Sequence, residues 1–126
     1  MNTCSIIIFY CIDMPDQPVN SSSLPEVSED LATELAEMFR LMGDPSRLRI
    51  ILACLETPTN VGDIAAHLGL SNSLVSHHLR LLRAARVLRG QRRGKQIYYS
   101  AADQHVSRVI ADMLEHVAEP DSHDEE

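Results

Sequence analysis

Residues 61–85, VGDIAAHLGLSNSLVSHHLRLLRAA, hold two helical patterns separated by very few residues. The first, 61–68, is a short helix with Asn60 as its cap. Gly69 ends it, because a residue without Cβ tolerates the left-handed turn that closes many helices. Ser71 then caps a second helix over 72–85, its hydroxyl suited to accept a free N–H of the first turn. A short helix, a tight turn and a second helix make a helix-turn-helix unit. The second helix has two distinct faces. Val75, Leu79 and Leu82 recur at helical spacing and face inward. Ser73, Ser76, His77 and Arg80 fall at i, i+3, i+4 and i+7 and share the other face. Small hydroxyl and imidazole groups on an outward face suit the base edges and phosphates of a major groove.

Downstream, RVLRGQRRGKQIYYSA (86–101) changes period. β-branched and aromatic residues flank an Arg-Arg-Gly turn, which predicts a β-hairpin. A basic hairpin directly after a helix-turn-helix is a wing. The chain carries a formal charge of −7, which by itself disfavours a nucleic-acid partner. Its distribution points the other way. Seven of the eleven basic residues lie within 80–95, a span with no Asp or Glu. Arg80 and Arg83, late in the helix, suit phosphates; Arg92, Arg93 and Lys95 of the wing can reach an adjacent groove or backbone. Ser71, at the turn, completes the candidate DNA-contacting set. The plain alternative is a solvated helix beside a charged hairpin.

Upstream, SEDLATELAEMFRLM (28–42) places Leu31, Leu35, Met38, Phe39 and Met42 at helical spacing behind Ser28 as cap. GDPSRLRIILACLE (43–56) opens on Asp44 as cap and Pro45 at the first helical position. TPTN then breaks the chain. The expectation is a mainly α domain over 27–119 with a small β-hairpin, a winged helix-turn-helix. Residues 1–26 hold three prolines and NSSS after an apolar run; they are expected to be a disordered or loosely attached arm, with an artefact of an upstream start codon as the alternative. The acidic 120–126 is expected to be a solvated tail. The run SIIIFYCI lacks a basic flank and a cleavage site, and no segment approaches the ~20 apolar residues of a membrane span. Three cysteines in a chain with an ordinary core suggest a reducing, cytoplasmic setting.

The segments GDPSRLRII, VGDIAAHLGLSNSLVSHHLRLLRAARVL and GQRRGKQIYYS resemble the ArsR/SmtB family of winged helix-turn-helix metal-sensing repressors, and the likeness runs from about residue 30 to 119. The resemblance implies a homodimer, joined through its first and last helices, that binds operator DNA and releases it when an inducer binds.

The last helix, DQHVSRVIADMLEHVAE (103–119), carries Asp103 and His105 at one end and His116 and Glu119 at the other. His105 and His116 share a face but lie roughly 16 Å apart along the axis. Ligands to one zinc sit ~2 Å from it, so one helix cannot close such a site. Two antiparallel copies can, and a two-fold axis would generate two identical sites. Val106, Val109, Ile110, Met113 and Val117 form the adjacent apolar stripe. Asp103 is off the ligand stripe by helical angle and depends on a cap conformation to redirect it. Two imidazoles and two carboxylates suit Zn(II) in a tetrahedron, with Co(II) as a substitute. The pattern also resembles the last-helix zinc site of the family's zinc and cobalt sensors. Nickel is a lesser candidate and would need His123 to expand the set.

The family's arsenic, cadmium and lead sensors often carry a Cys-rich motif around the third helix; the matching positions here are Asn60 and Gly62. Cys54 is expected to be a buried small hydrophobe. A thiol or redox input through Cys4, Cys11 or Cys54 on the same DNA-binding scaffold is one rival, and a zinc-buffering dimer without an operator is another. His67 and His78 are expected at surface or packing positions. No catalytic constellation is present, so an enzyme is not expected.

Overall fold

The structure is a computed structural model and describes residues 26–120. The elements are α1 (Glu29–Met42), α2 (Pro45–Glu56), β1 (Thr59–Asn60), α3 (Val61–Leu68), α4 (Asn72–Ala84), β2 (Leu88–Arg93), β3 (Gln96–Ala101) and α5 (Gln104–Ala118). Among the described residues they fall into two units, 26–102 and 103–120. The arm with Cys4 and Cys11, and the tail with His123, lie outside the described residues but for Glu26 and Pro120.

Each helix of the larger unit begins where a side chain takes up a free N–H. Ser28 accepts from Leu31, Asp44 from Arg47, Asn60 from Asp63 and Ser71 from Leu74. Such caps satisfy donors that the helix itself leaves unpaired. Pro45 follows Asp44 at the first helical position, as expected. α3 stops at Gly69, whose φ of 70° is left-handed, and the Leu70 N–H returns to the Ala65 carbonyl at 3.0 Å. That closure leaves only a short turn before α4.

The core of this unit is chiefly Ile50, Ile51 and Cys54 from α2, Ile64 and Ala65 from α3, Val75, Leu79 and Leu82 from α4, Val87 just before the wing, and Leu88 and Tyr99 from its strands. The three inward residues expected of the second helix are thus all buried. Apolar side chains from three helices and the sheet base meet here, so α3 and α4 are held as a rigid pair.

The sheet differs from expectation in two ways. It has three strands, in the order β1-β3-β2, all antiparallel. TPTN does break the helix, but Thr59 and Asn60 then pair with Tyr99 and Tyr98. The Asn60 amide nitrogen also donates to the Gln96 side chain at 2.7 Å. The turn is also displaced. Arg92 and Arg93 remain in β2, paired with Ile97 and Gln96, and the chain reverses at Gly94 and Lys95, with Gly94 at φ 65°. Positive φ is the glycine-favoured region, so the reversal falls on Gly94 rather than on the arginines. Gly90 has a separate role: a Cβ there would lie 2.9 Å from Ile97 and 3.1 Å from the Tyr99 ring.

Candidate nucleic-acid interface and metal centre

α4 and the wing each present exposed basic residues. Ser73, His77, Arg80 and Arg83 are exposed and Ser76 is half-buried, while the opposite face of α4 is in the core. Ser71 is exposed too, but its hydroxyl accepts the Leu74 N–H at 3.1 Å, so its first task is to cap the helix. Arg92, Arg93 and Lys95 are exposed on the wing. The Arg93 guanidinium lies over the Tyr98 ring, 5.3 Å from its centroid, a cation–π contact that limits its freedom. Arg92 donates to the Gly94 carbonyl at 3.4 Å.

Among the described residues, none of Arg80, Arg83, Arg92, Arg93 or Lys95 pairs with a carboxylate, whereas Arg40 pairs with Glu37 and Arg86 with Glu34. No acidic residue occurs anywhere in 64–102. The five cations are therefore available to phosphate. Residues of the first turn of α4 that the i, i+3, i+4, i+7 reading passed over, Asn72 and Leu74, are exposed as well. So is Gln91, whose cross-strand partner is Tyr98. The signal for the first pair was the Ser71 cap itself, since first-turn residues of a recognition helix meet base edges.

His78 takes a packing position, as expected. It is 8% exposed, and its Nδ1 has no hydrogen-bond partner among the described residues. Burial, then the Arg47 charge, hold its pKa below the ordinary value of 6.5; Asp44 opposes them and His77 adds to them. The His77 ring is 5.8 Å away. His67 is exposed.

α5 carries the candidate metal ligands at its two ends. Asp103 is its N-cap, with Oδ1 accepting from the Val106 N–H at 3.0 Å. Glu119 is its C-cap, in extended conformation at φ −73° and ψ 142°. Both carboxylates therefore sit just outside the helix, where cap geometry rather than helical angle sets their direction. His105 and His116 lie within it, one in the first turn and one in the last, and all four residues are exposed. Among the described residues of one chain, no three His, Cys, Asp or Glu side chains come together around a common point. The four ligands remain two half-sets. Each half-set offers an imidazole and a carboxylate, a donor pair that fits zinc chemistry but cannot complete a tetrahedron alone.

The thiol and Cys-motif positions fit other tasks. Cys54 is 1% exposed, and burial pushes its thiol up to about 12. Asn60, at the position where some sensors carry Cys, uses its side-chain oxygen to cap α3 and its nitrogen to hold Gln96.

A helix-turn-helix with an attached basic three-stranded wing defines a class of regulatory DNA-reading domains, and comparison with known proteins places the chain within it. The family model "Bacterial regulatory protein, arsR family" matches residues 44–89. A transcriptional repressor SmtB homolog from Synechocystis sp. is 43% identical over 98 residues, 77% of this chain and 74% of the relative. The HTH-type transcriptional regulator CmtR of Mycobacterium tuberculosis is 38% identical over 88 residues, 70% of this chain and 75% of the relative. Among solved structures, the cadmium metal-sensor CMTR from Mycobacterium tuberculosis matches with a TM-score of 0.58 at 36% identity, over 70% of this chain and 92% of that one. The chain belongs to the ArsR/SmtB family of metal-sensing transcriptional repressors; it is a regulator and not an enzyme. No helix among the described residues is long and apolar enough to cross a membrane.

Proposed function

We propose that this protein is a homodimeric repressor that binds operator DNA in its metal-free form and releases it on taking up Zn(II) between the two last helices. One observation carries the reading: α5 holds a complementary half-set of ligands at each end of an apolar face that its own chain leaves open. Val109, Met113, Leu114 and Val117 are exposed on α5, and Val27, Leu31, Leu35 and Phe39 are exposed on or beside α1. These are eight of the ten large apolar side chains exposed among the described residues, and on each of the two helices such concentration suits cover by a second copy. Pairing two α5 helices antiparallel would set Asp103 and His105 of one protomer beside the partner's His116 and Glu119.

Zn(II) would be held by Asp103 and His105 of one protomer with the partner's His116 and Glu119, and would supply a divalent centre for imidazole and carboxylate donors. The residues do the rest. His105 and His116, fixed in helical turns, set the separation of the two helices. Asp103 and Glu119, at the caps, close from outside. Holding both ends of the pair selects one dimer geometry and moves the two α4 helices away from the spacing of successive major grooves. Operator and metal then oppose each other by one and the same factor. In the metal-free dimer, α4 enters the groove, and Arg80, Arg83, Arg92, Arg93 and Lys95 neutralise phosphates.

The cadmium in the name of one neighbour is not carried over. A softer metal draws on thiolate, and the one described cysteine, Cys54, is buried and held protonated. Co(II) should substitute for Zn(II) in the same donor set, and Ni(II) would need further ligands such as His123.

The test is a fluorescence-anisotropy titration of the protein on its own promoter fragment, with Zn²⁺ added, beside the double variant His105→Ala, His116→Ala. Zinc should release the wild type and leave the variant bound, with its metal-free operator affinity retained. Zinc that leaves the wild type bound sinks the sensor reading. Binding with no preference for the promoter over unrelated DNA would favour a zinc-buffering dimer. Serine at Cys4, Cys11 and Cys54 should leave the zinc response intact; its loss would turn the reading toward a thiol input.

A further inference from the structure

Leu74 stands apart on α4. It is 40% exposed, and among the described residues from 49 to 108 no other large apolar side chain is so open. One exposed leucine is ordinary on most surfaces; its neighbours make this one informative. It lies in the first turn of α4, between Ser73 and Ser76, and about 60° round the helix from His77. Its position in the backbone is held, because its N–H donates to the Ser71 hydroxyl at 3.1 Å.

Local helix architecture does not account for it. Leu74 is three residues past the cap, where a capping box would place Glu or Gln. A hydrophobic staple at this helix start would use Leu70 and Val75 instead, and Val75 is fully buried. The core side of α4 is already filled by Val75, His78, Leu79 and Leu82. Leu74 is thus an apolar group on the rim of a polar, acid-free surface, in the turn of the helix that meets base edges.

Of the features displayed in a major groove, only one is apolar: the C5-methyl group of thymine. Resting on the operator reading above, we propose that Leu74 is a specificity-determining residue that packs on a thymine methyl in each half-site. Ser73, His77 and Arg80 offer hydrogen bonds that several bases or phosphates can accept. Leu74 would favour thymine over cytosine, which lacks the methyl at the same position.

The experiment uses the full-length protein and its promoter fragment, with deoxyuridine replacing thymine one dyad-related pair at a time. This removes the methyl and leaves base pairing unchanged. At one pair, the wild type should lose about fourfold in affinity per half-site, the worth of one buried methyl-sized group. Leu74→Ala should bind the thymine operator more weakly and be indifferent to deoxyuridine at that same pair. Leu48→Ala, an equal truncation of an exposed leucine on α2, should respond as the wild type does. If Leu74→Ala responds to every deoxyuridine as the wild type does, or if no pair is methyl-sensitive, the inference is overturned while operator binding stands. If the wild type does not prefer its promoter to unrelated DNA, the operator reading itself has failed, and this inference falls with it.

Discussion

α4 and α5 are of similar length, 13 and 15 residues, and each opens on a side chain that accepts the N–H three residues on. Both carry one apolar and one polar face. Their apolar faces end differently. α4 buries Val75, His78, Leu79 and Leu82, whereas α5 buries Ile110 and leaves Val109, Met113, Leu114 and Val117 open. Amphipathic pattern alone does not say what a helix packs against. α4 is finished by its own chain, so its outer face is presented ready-made to DNA. α5 leaves most of its apolar face open, and its candidate metal ligands stand at its two ends. On the proposed reading, such a regulator separates a reading surface completed within one chain from a switch completed between two.

The contrast is most severely tested in the core. Leu82→Ala should lower unfolding stability by about 2–5 kcal/mol, since a fully buried leucine leaves a cavity. Urea denaturation at fixed protein concentration would measure it. Met113→Ala, on α5, should cost far less in a monomer and act chiefly on association. If both truncations cost the same, the two helices are not differently completed. Next in size, the double variant Met113→Glu, Val117→Glu should raise the dimer dissociation constant about 100-fold or more, because association would bury unpaired charge. Analytical ultracentrifugation reads this directly, and an unchanged constant would remove α5 from the interface.

The caps give a smaller effect. Ser71→Ala should cost about 1 kcal/mol of stability by leaving the Leu74 N–H without its partner. It should also weaken operator binding more than Ser28→Ala, the matching change on α1. Equal effects on binding would show that the α4 cap does not position the reading turn. The smallest effect concerns pH. The folded state holds His78 neutral, with a pKa below 6.5. The unfolded chain therefore takes up the proton first as pH falls. The stability due to neutral His78 is full above about 6.5, declines below it, and levels off once pH passes the folded value. His78→Gln should flatten that slope in thermal melts between pH 7 and 5. A slope that persists assigns the titration to another group. Asp44 does not confuse the window, because its bond from the Arg47 N–H lowers its pKa from 3.8, so its effect is lost only in stronger acid.

Most of the helix boundaries were legible in the chain, because each is written locally. Ser28, Asp44 with Pro45, Asn60, Gly69 and Ser71 act through residues one to five places away, and they fall where their chemistry requires. β1 was not legible. Two residues have no period, and Thr59 and Asn60 become a strand only because Tyr98 and Tyr99, almost forty positions on, supply the partner edge. The hairpin turn was misplaced for a related reason. Arg-Arg-Gly looks like a turn by composition, but the register with Ile97 and Gln96 keeps both arginines in the strand. The Arg93–Tyr98 contact follows from that register.

The candidate site divides in the same way. The residue order alone determined that 61–101 makes a helix-turn-helix with a basic wing, that Val75, Leu79 and Leu82 face inward, and that Asp103, His105, His116 and Glu119 cannot meet within one helix. Periodicity and helical rise are properties of the chain itself, and no neighbour can alter them. Tertiary structure decided which groups are already engaged. It buried His78 against α2, whose Asp44 and Arg47 charges it feels, and left Leu74 and the α5 stripe uncovered. Exposure depends on what packs against a residue, and a pattern of apolar positions does not name its partner.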